Sequence, residues 1–111
     1  MEHKERDNVI RKKILNEILD IESFINGFNM ETFTGSRLAQ KAVVMSLISI
    51  GELSKSFSNN YIEKTQEIPW KAIRGLRNIA AHQYESIRIE NVWLTIKEDI
   101  PVLKRTLLDN E

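Results

Sequence analysis

Arg77, Asn78, His82 and Tyr84 bring four kinds of polar chemistry into eight consecutive residues, Arg77-Asn78-Ile79-Ala80-Ala81-His82-Gln83-Tyr84. A guanidinium is charged at every accessible pH and presents a planar fork of donors, so it holds oxyanions bidentately. An imidazole titrates near neutrality and can give or take a proton. At 100° per residue Arg77 falls on the same side as Trp70, Ile73, Ala80 and Ala81, near the middle of an apolar stripe. A guanidinium buried there must either be paired or face a cavity that receives an anion. Glu52 on the preceding long helix is a candidate partner for an internal salt bridge. His82, five residues on, lies about 140° around a straight helix, so the two side chains converge only near a shared ligand or a helix end. Asn78, four residues before His82, shares its side and could orient the ring. Tyr84 would return to the arginine's side if the helix reached that far; its structural role would be packing with the hydroxyl in water. His82 could equally serve as a capping or surface residue.

The elements that must position these groups read as helices throughout. Four glycines and two prolines in 111 residues leave few breaks, and the apolar spacing is helical wherever it can be tested. Ile10, Ile14, Ile18, Ile21, Ile25 and Phe28 advance by three or four and form one stripe. Asn26-Gly27 supplies a stop, and Thr34-Gly35-Ser36 offers hydroxyl N-caps before the next run, with a loop of about ten residues between the helices. The second helix, from about Ser36 to Phe57, is apolar around much of its circumference. It is either the central helix of a bundle or has one face covered by a second subunit. Ser58-Asn59-Asn60 breaks the pattern, and a short helical stretch around Tyr61 to Gln66 follows. Pro69 at a first-turn position then opens a helix with Trp70, Ile73, Leu76 and Ala80 on its apolar face. The last helix starts near Ile89 and carries Pro101 inside it, which predicts a kink near Lys97 to Ile100. The expected fold is all-α, a compact bundle of four to five helices in a single domain.

Composition removes several classes of function. Sixteen basic and sixteen acidic side chains give zero formal net charge, which argues against nonspecific nucleic-acid binding through bulk charge and leaves a local basic site open. The absence of cysteine excludes disulfides, Cys-ligated zinc, iron–sulfur clusters and thiol nucleophiles. No glycine-rich phosphate loop or nucleophile-elbow sequence is present. Two histidines, His3 and His82, without HExxH or clustered carboxylates, point to no metal site and no cofactor. The charged N-terminus lacks a signal-peptide pattern, and the longest apolar run, Ala42 to Ile50, is far short of the ~20 residues that span a bilayer. The expectation is a cytoplasmic protein with no membrane association.

The motif resembles the RxxxxHxY signature of HepT-like proteins, the toxin branch of the HEPN superfamily. Ile50-Gly51-Glu52, Ile68-Pro69-Trp70, Trp93 and Asp99-Ile100-Pro101 fall in the order and approximate spacing of that family, so the resemblance runs from about Val9 to Leu108. It implies a HEPN-type bundle that forms a homodimer, with room for higher assembly. Two motifs would meet across a two-fold axis in one metal-independent endoribonuclease site acting on RNA. It also implies a cognate minimal nucleotidyltransferase antitoxin, in a type VII-like toxin–antitoxin pair, that silences the toxin by transferring AMP to a tyrosine. Carried over, Arg77 and His82 are catalytic, Asn78 and Glu52 supporting, and Tyr84 the AMP acceptor. This sequence departs in having Ile79 where many relatives have a second basic residue, and Gln83-Tyr84-Glu85 in place of a glycine- or aromatic-bearing turn. The rival reading is a non-catalytic HEPN subunit that binds nucleotide or scaffolds a nucleotidyltransferase, with Arg77 only holding a phosphate. A third is a helical oligomerisation module in which Arg77 is merely salt-bridged.

Overall fold

A computed structural model of the chain describes residues 2–79 and 88–111. These residues form α1 (Glu2–Phe24), α2 (Met30–Thr34), α3 (Arg37–Ser54), α4 (Asn59–Lys64), α5 (Trp70–Gly75), α6 (Ile89–Leu94) and α7 (Ile100–Asp109). A 3₁₀ turn (Leu76–Ile79) continues α5, and a π-helical turn (Thr95–Asp99) joins α6 to α7. The all-α expectation holds: the bulk of the fold is α1, α3, the α5 unit and the α6–α7 unit, with α2 and α4 as short connectors.

The stripe on α1 is the backbone of the core. Ile14, Ile18 and Ile21 are wholly buried, and they meet Val43, Leu47 and Ile50 of α3 and Leu103 and Leu107 of α7 in one cluster. Fully burying a side chain of this size stabilises by roughly 1.5–3 kcal/mol. α1 ends at Phe24, just before the expected stop at Asn26-Gly27, so Ile25 and Phe28 pack against the core from the segment that follows the helix; Gly27 in that segment has φ +82°, a backbone region that only glycine enters without strain. Ser36 is the N-cap of α3, its side chain accepting from Ala39 N–H at 3.1 Å.

Several boundaries differ from the expectation. The ten-residue loop contains α2, started by a capping box in which Asn29 accepts from Thr32 N–H at 2.8 Å and Thr32 Oγ1 accepts from Asn29 N–H at 2.9 Å. The helix is short because Gly35 and Ser36 follow at once, but it seats Phe33 in the core, 5.1 Å from the Trp93 ring. α3 ends at Ser54 rather than Phe57, and α4 starts at Asn59 rather than Tyr61, because Ser58 caps it. Pro69 is the residue before α5 and not within its first turn.

The disturbance expected at Pro101 takes a definite form. The helix widens before the proline, and Ile100 N–H donates to the Thr95 carbonyl, five residues back. A π turn of this kind is a local break in the α-helical hydrogen-bond ladder. Asp99, at the end of that turn, has its carboxyl raised above the ordinary value by burial and by neighbouring Glu98.

The buried guanidinium of this fold belongs to Arg11, only 5% exposed. Its Nη1 donates to the Leu107 carbonyl at 3.2 Å, and Nε and Nη2 donate to Asn8 Oδ1 at 3.1 and 2.9 Å. The Leu107 carbonyl, in the last turn of α7, also accepts from the C-cap Asn110 N–H at 3.4 Å, and the cation there meets the negative end of the helix dipole. One turn earlier Asp7, also buried, accepts from Ser58 N–H and Ser58 Oγ and ties α1 to the start of α4. Among the described residues no helix is long and apolar enough to cross a membrane.

Candidate active site

The helix that carries Arg77 is fixed at its beginning by aromatic packing. Trp70 Nε1 donates to the Thr65 carbonyl at 3.0 Å and to Thr65 Oγ1 at 3.3 Å. Phe57 stacks on Tyr61 at 4.5 Å between centroids and meets the edge of Trp70 at 5.4 Å. Tyr61 donates its hydroxyl to the Asn110 carbonyl at 3.3 Å. Its phenol is pushed up to about 12, chiefly by burial, with Arg11 working against the rise and Asp7 adding to it. Trp70 and Ile73 turn into the core, and Lys71, Ala72 and Arg74 face outward.

Past Gly75 the helix tightens, and Leu76 N–H donates to the Ile73 carbonyl, three residues back. Each 3₁₀ residue turns the chain by about 120° instead of 100°. Over Leu76 and Arg77 the extra rotation comes to about 40°. Arg77 and Asn78 are both exposed, which corrects the expectation of a guanidinium sunk in an apolar face. The expected salt bridge to Glu52 is not formed either. Glu52 pairs instead with Lys55 at 3.0 Å, both side chains about half exposed. Among the described residues Arg77 has no ion-pair partner.

What holds Arg77 is its backbone. A Cβ placed on Gly51 of α3 would stand 2.5 Å from Arg77 N, 3.1 Å from the Leu76 carbonyl carbon and 3.2 Å from Arg77 Cα. The 3₁₀ turn therefore lies against bare helix backbone at Gly51, and no other residue fits that position without moving the turn. Sequence reasoning placed Glu52 in the site and missed its neighbour. The signal was available: a glycine inside an apolar helix costs about 1 kcal/mol relative to alanine, so it calls for a packing reason.

Arg77 and Asn78 are thus adjacent on one exposed turn, and Glu52 follows the residue that touches that turn. His82 and Tyr84 lie outside the described residues. No three His, Asp or Glu side chains come together in a possible metal-binding group among the described residues.

An all-α bundle with an exposed arginine held on a glycine crossing, and without an ion-pair partner among the described residues, defines the class as a helical-bundle protein. The comparisons with known proteins make the class specific. The pattern of the family described as "Ribonuclease HepT-like" matches residues 14–109, and the chain belongs to that family. It is 35% identical over 92 residues to the Methanocaldococcus jannaschii protein named "Putative RNase MJ1380", covering 83% of this chain and 84% of that one. It is 37% identical over 84 residues to the "Probable ribonuclease HepT" of Thermococcus cleftensis, covering 76% of each. With "Putative RNase TTE0752" of Caldanaerobacter subterraneus subsp. tengcongensis it shares 33% identity over 92 residues, covering 83% and 82%. No solved structure matches the chain.

Proposed function

We propose that this protein is a metal-independent endoribonuclease, the toxin of a HEPN/nucleotidyltransferase toxin–antitoxin pair, with an active site completed by a second copy across a two-fold axis. The observation that carries the proposal is the state of Arg77: exposed and without an ion-pair partner among the described residues, in a chain of the HepT-like ribonuclease family. An internally paired arginine would have favoured the oligomerisation module.

RNA carries its own nucleophile, so the protein needs to supply only proton transfer and positive charge. One His82 imidazole takes the 2′-hydroxyl proton as the 2′-oxygen attacks phosphorus. The other His82, in its protonated form, gives a proton to the departing 5′-oxygen. Arg77 holds the non-bridging oxygens as charge builds on them. The products are a 2′,3′-cyclic phosphate and a free 5′-hydroxyl. One chain contains a single motif histidine, so the two proton transfers call for two chains. Leu38 and Met45 of α3, seven residues apart on one face, are 82% and 65% exposed, which supports a second copy covering that face. Glu52, a further seven residues on, brings the same face to the Gly51 crossing.

Silencing follows from the same site. The cognate nucleotidyltransferase transfers AMP from ATP to the Tyr84 oxygen, with pyrophosphate leaving. The added phosphate then occupies the anion position beside Arg77 and repels the substrate backbone.

The test is cleavage of mixed RNA by unmodified protein in EDTA, comparing wild type with His82→Ala and analysing product ends. Cleavage to 2′,3′-cyclic phosphate that disappears in the variant is the expected result. A verified unmodified wild type that cuts no RNA would overturn the proposal in favour of a nucleotide-binding or scaffold subunit. Tyr84→Phe should keep activity and take up no AMP by intact mass; equal AMP addition would move the acceptor elsewhere.

A further inference from the structure

From Ile68 to Tyr84 every formally charged side chain is basic, and Lys71, Arg74 and Arg77 recur at every third residue. All three are exposed, beside buried Trp70 and Ile73 on α5 and its 3₁₀ continuation. Three α-helical residues fall about 60° short of a full rotation, whereas three 3₁₀ residues complete one. The change of helix type therefore draws Arg74 and Arg77 toward the same line, with Lys71 one step behind. The rise between successive members is about 4.5 Å in α geometry and about 6 Å in 3₁₀ geometry. That is the scale on which phosphates succeed one another along a single strand, and these side chains are long enough to take up the difference. None of the three has an ion-pair partner among the described residues. In a chain with zero net charge this is a local cationic row, and one end of it is the arginine of the motif.

We propose that Lys71 and Arg74 are substrate-binding residues, a phosphate rail that holds single-stranded RNA on the approach to Arg77. The proposal rests on the ribonuclease function argued above and extends it to the residues that bind the strand outside the cleavage point. A single row of cations suits one strand; duplex RNA is held through contacts that span two minor grooves and the phosphates between them. Lys71 and Arg74 act on binding, since neither belongs to the motif that moves protons.

The experiment measures binding of a mixed-sequence 2′-O-methyl single-stranded oligoribonucleotide, which lacks the attacking hydroxyl, as a function of salt. Wild type is compared with Lys71→Ala/Arg74→Ala and with a charge-matched control, Lys12→Ala/Arg105→Ala, which removes exposed cations from α1 and α7. Each phosphate contact contributes about 0.7 to the log–log salt slope for a single strand. Loss of both rail residues should flatten the slope by about 1.4, and cleavage by the same variant should fall mainly through a raised KM. The control should match wild type in both. A rail variant with the control's slope and KM, in a preparation whose wild type cleaves RNA, would overturn the rail alone and leave the row to an acidic protein partner. Wild type that neither binds nor cleaves any RNA would overturn the ribonuclease function and the rail together.

Discussion

Replacing Gly51 with alanine should separate activity from stability. In an open helix position the change stabilises by up to about 1 kcal/mol, because alanine loses less backbone freedom on folding. Gly51 is not open. Its new Cβ would stand 2.5 Å from Arg77 N, against about 3.4 Å for the near edge of ordinary contact, so the 3₁₀ turn must retreat by about 0.9 Å. The obstructing atoms all belong to the backbone of Leu76 and Arg77, which cannot swing aside as a side chain would. Overpacking of this kind costs about 1–3 kcal/mol. Set against the gain in propensity, the net loss is about 0–2 kcal/mol, small enough for the bundle to stay folded.

The effect on cleavage should be larger in proportion. A displacement near 1 Å of a group that must meet a phosphate costs about 10²-fold in rate. Gly75→Ala provides the internal comparison: nothing lies within 4 Å of its added Cβ, so that variant should keep its activity and gain a few tenths of a kcal/mol. Urea unfolding and initial rates of RNA cleavage, measured on both variants and wild type, decide the matter. If Gly51→Ala gains stability as Gly75→Ala does and cleaves RNA at the wild-type rate, the glycine crossing does not set the position of Arg77.

Two further outcomes are expected. Arg77→Ala should change unfolding free energy by no more than about 0.5 kcal/mol, as an exposed and unpaired residue does, while cleavage falls by about 10²-fold or more; a loss of about 3–5 kcal/mol in urea titration would mean a broken buried pair. Tyr61 ionises in the unfolded chain near its ordinary 10.0 and in the fold only at about 12, so its contribution to stability is complete below pH 10 and is lost as pH rises toward 12. Unfolding midpoints of Tyr61→Phe should therefore fall less than those of wild type between pH 9 and 11.5, and an equal fall would remove burial of this phenol as the cause.

The parts of the fold legible in the sequence are those where one rule acts alone. The isoleucine stripe of α1, the stop just before Gly27 and the cap at Ser36 each follow from local chemistry, and Pro101 announces its own disturbance. Where rules compete, the sequence misleads. α2 stayed hidden because five residues between an asparagine and a glycine look like loop, although Asn29 and Thr32 close a capping box across its first turn. Arg77 was placed in the core because the apolar stripe of α5 was carried past Gly75, where the helix changes type and Arg77 is exposed. The rule that a buried guanidinium needs partners was sound, but its subject is Arg11, one residue past Ile10 at the edge of the α1 stripe, whose partner outside its own helix, the Leu107 carbonyl, is 96 residues away. No local pattern reveals a contact of that range.

In the proposed site the chemistry of Arg77 and its position need not compete. A side chain that both holds the fold and binds substrate must give up one partner to gain the other, and a buried ion pair broken for substrate would cost several kcal/mol at each turnover. Here the contact that fixes the turn runs from Gly51 to the Arg77 backbone, and the guanidinium is left in water with no partner to lose among the described residues. The arrangement requires the smallest residue at one point of α3 and permits any side chain at the crossing turn. Substitution at position 77 should therefore change what the site binds while leaving the site in place, and substitution at position 51 should move the site while leaving its chemistry unchanged.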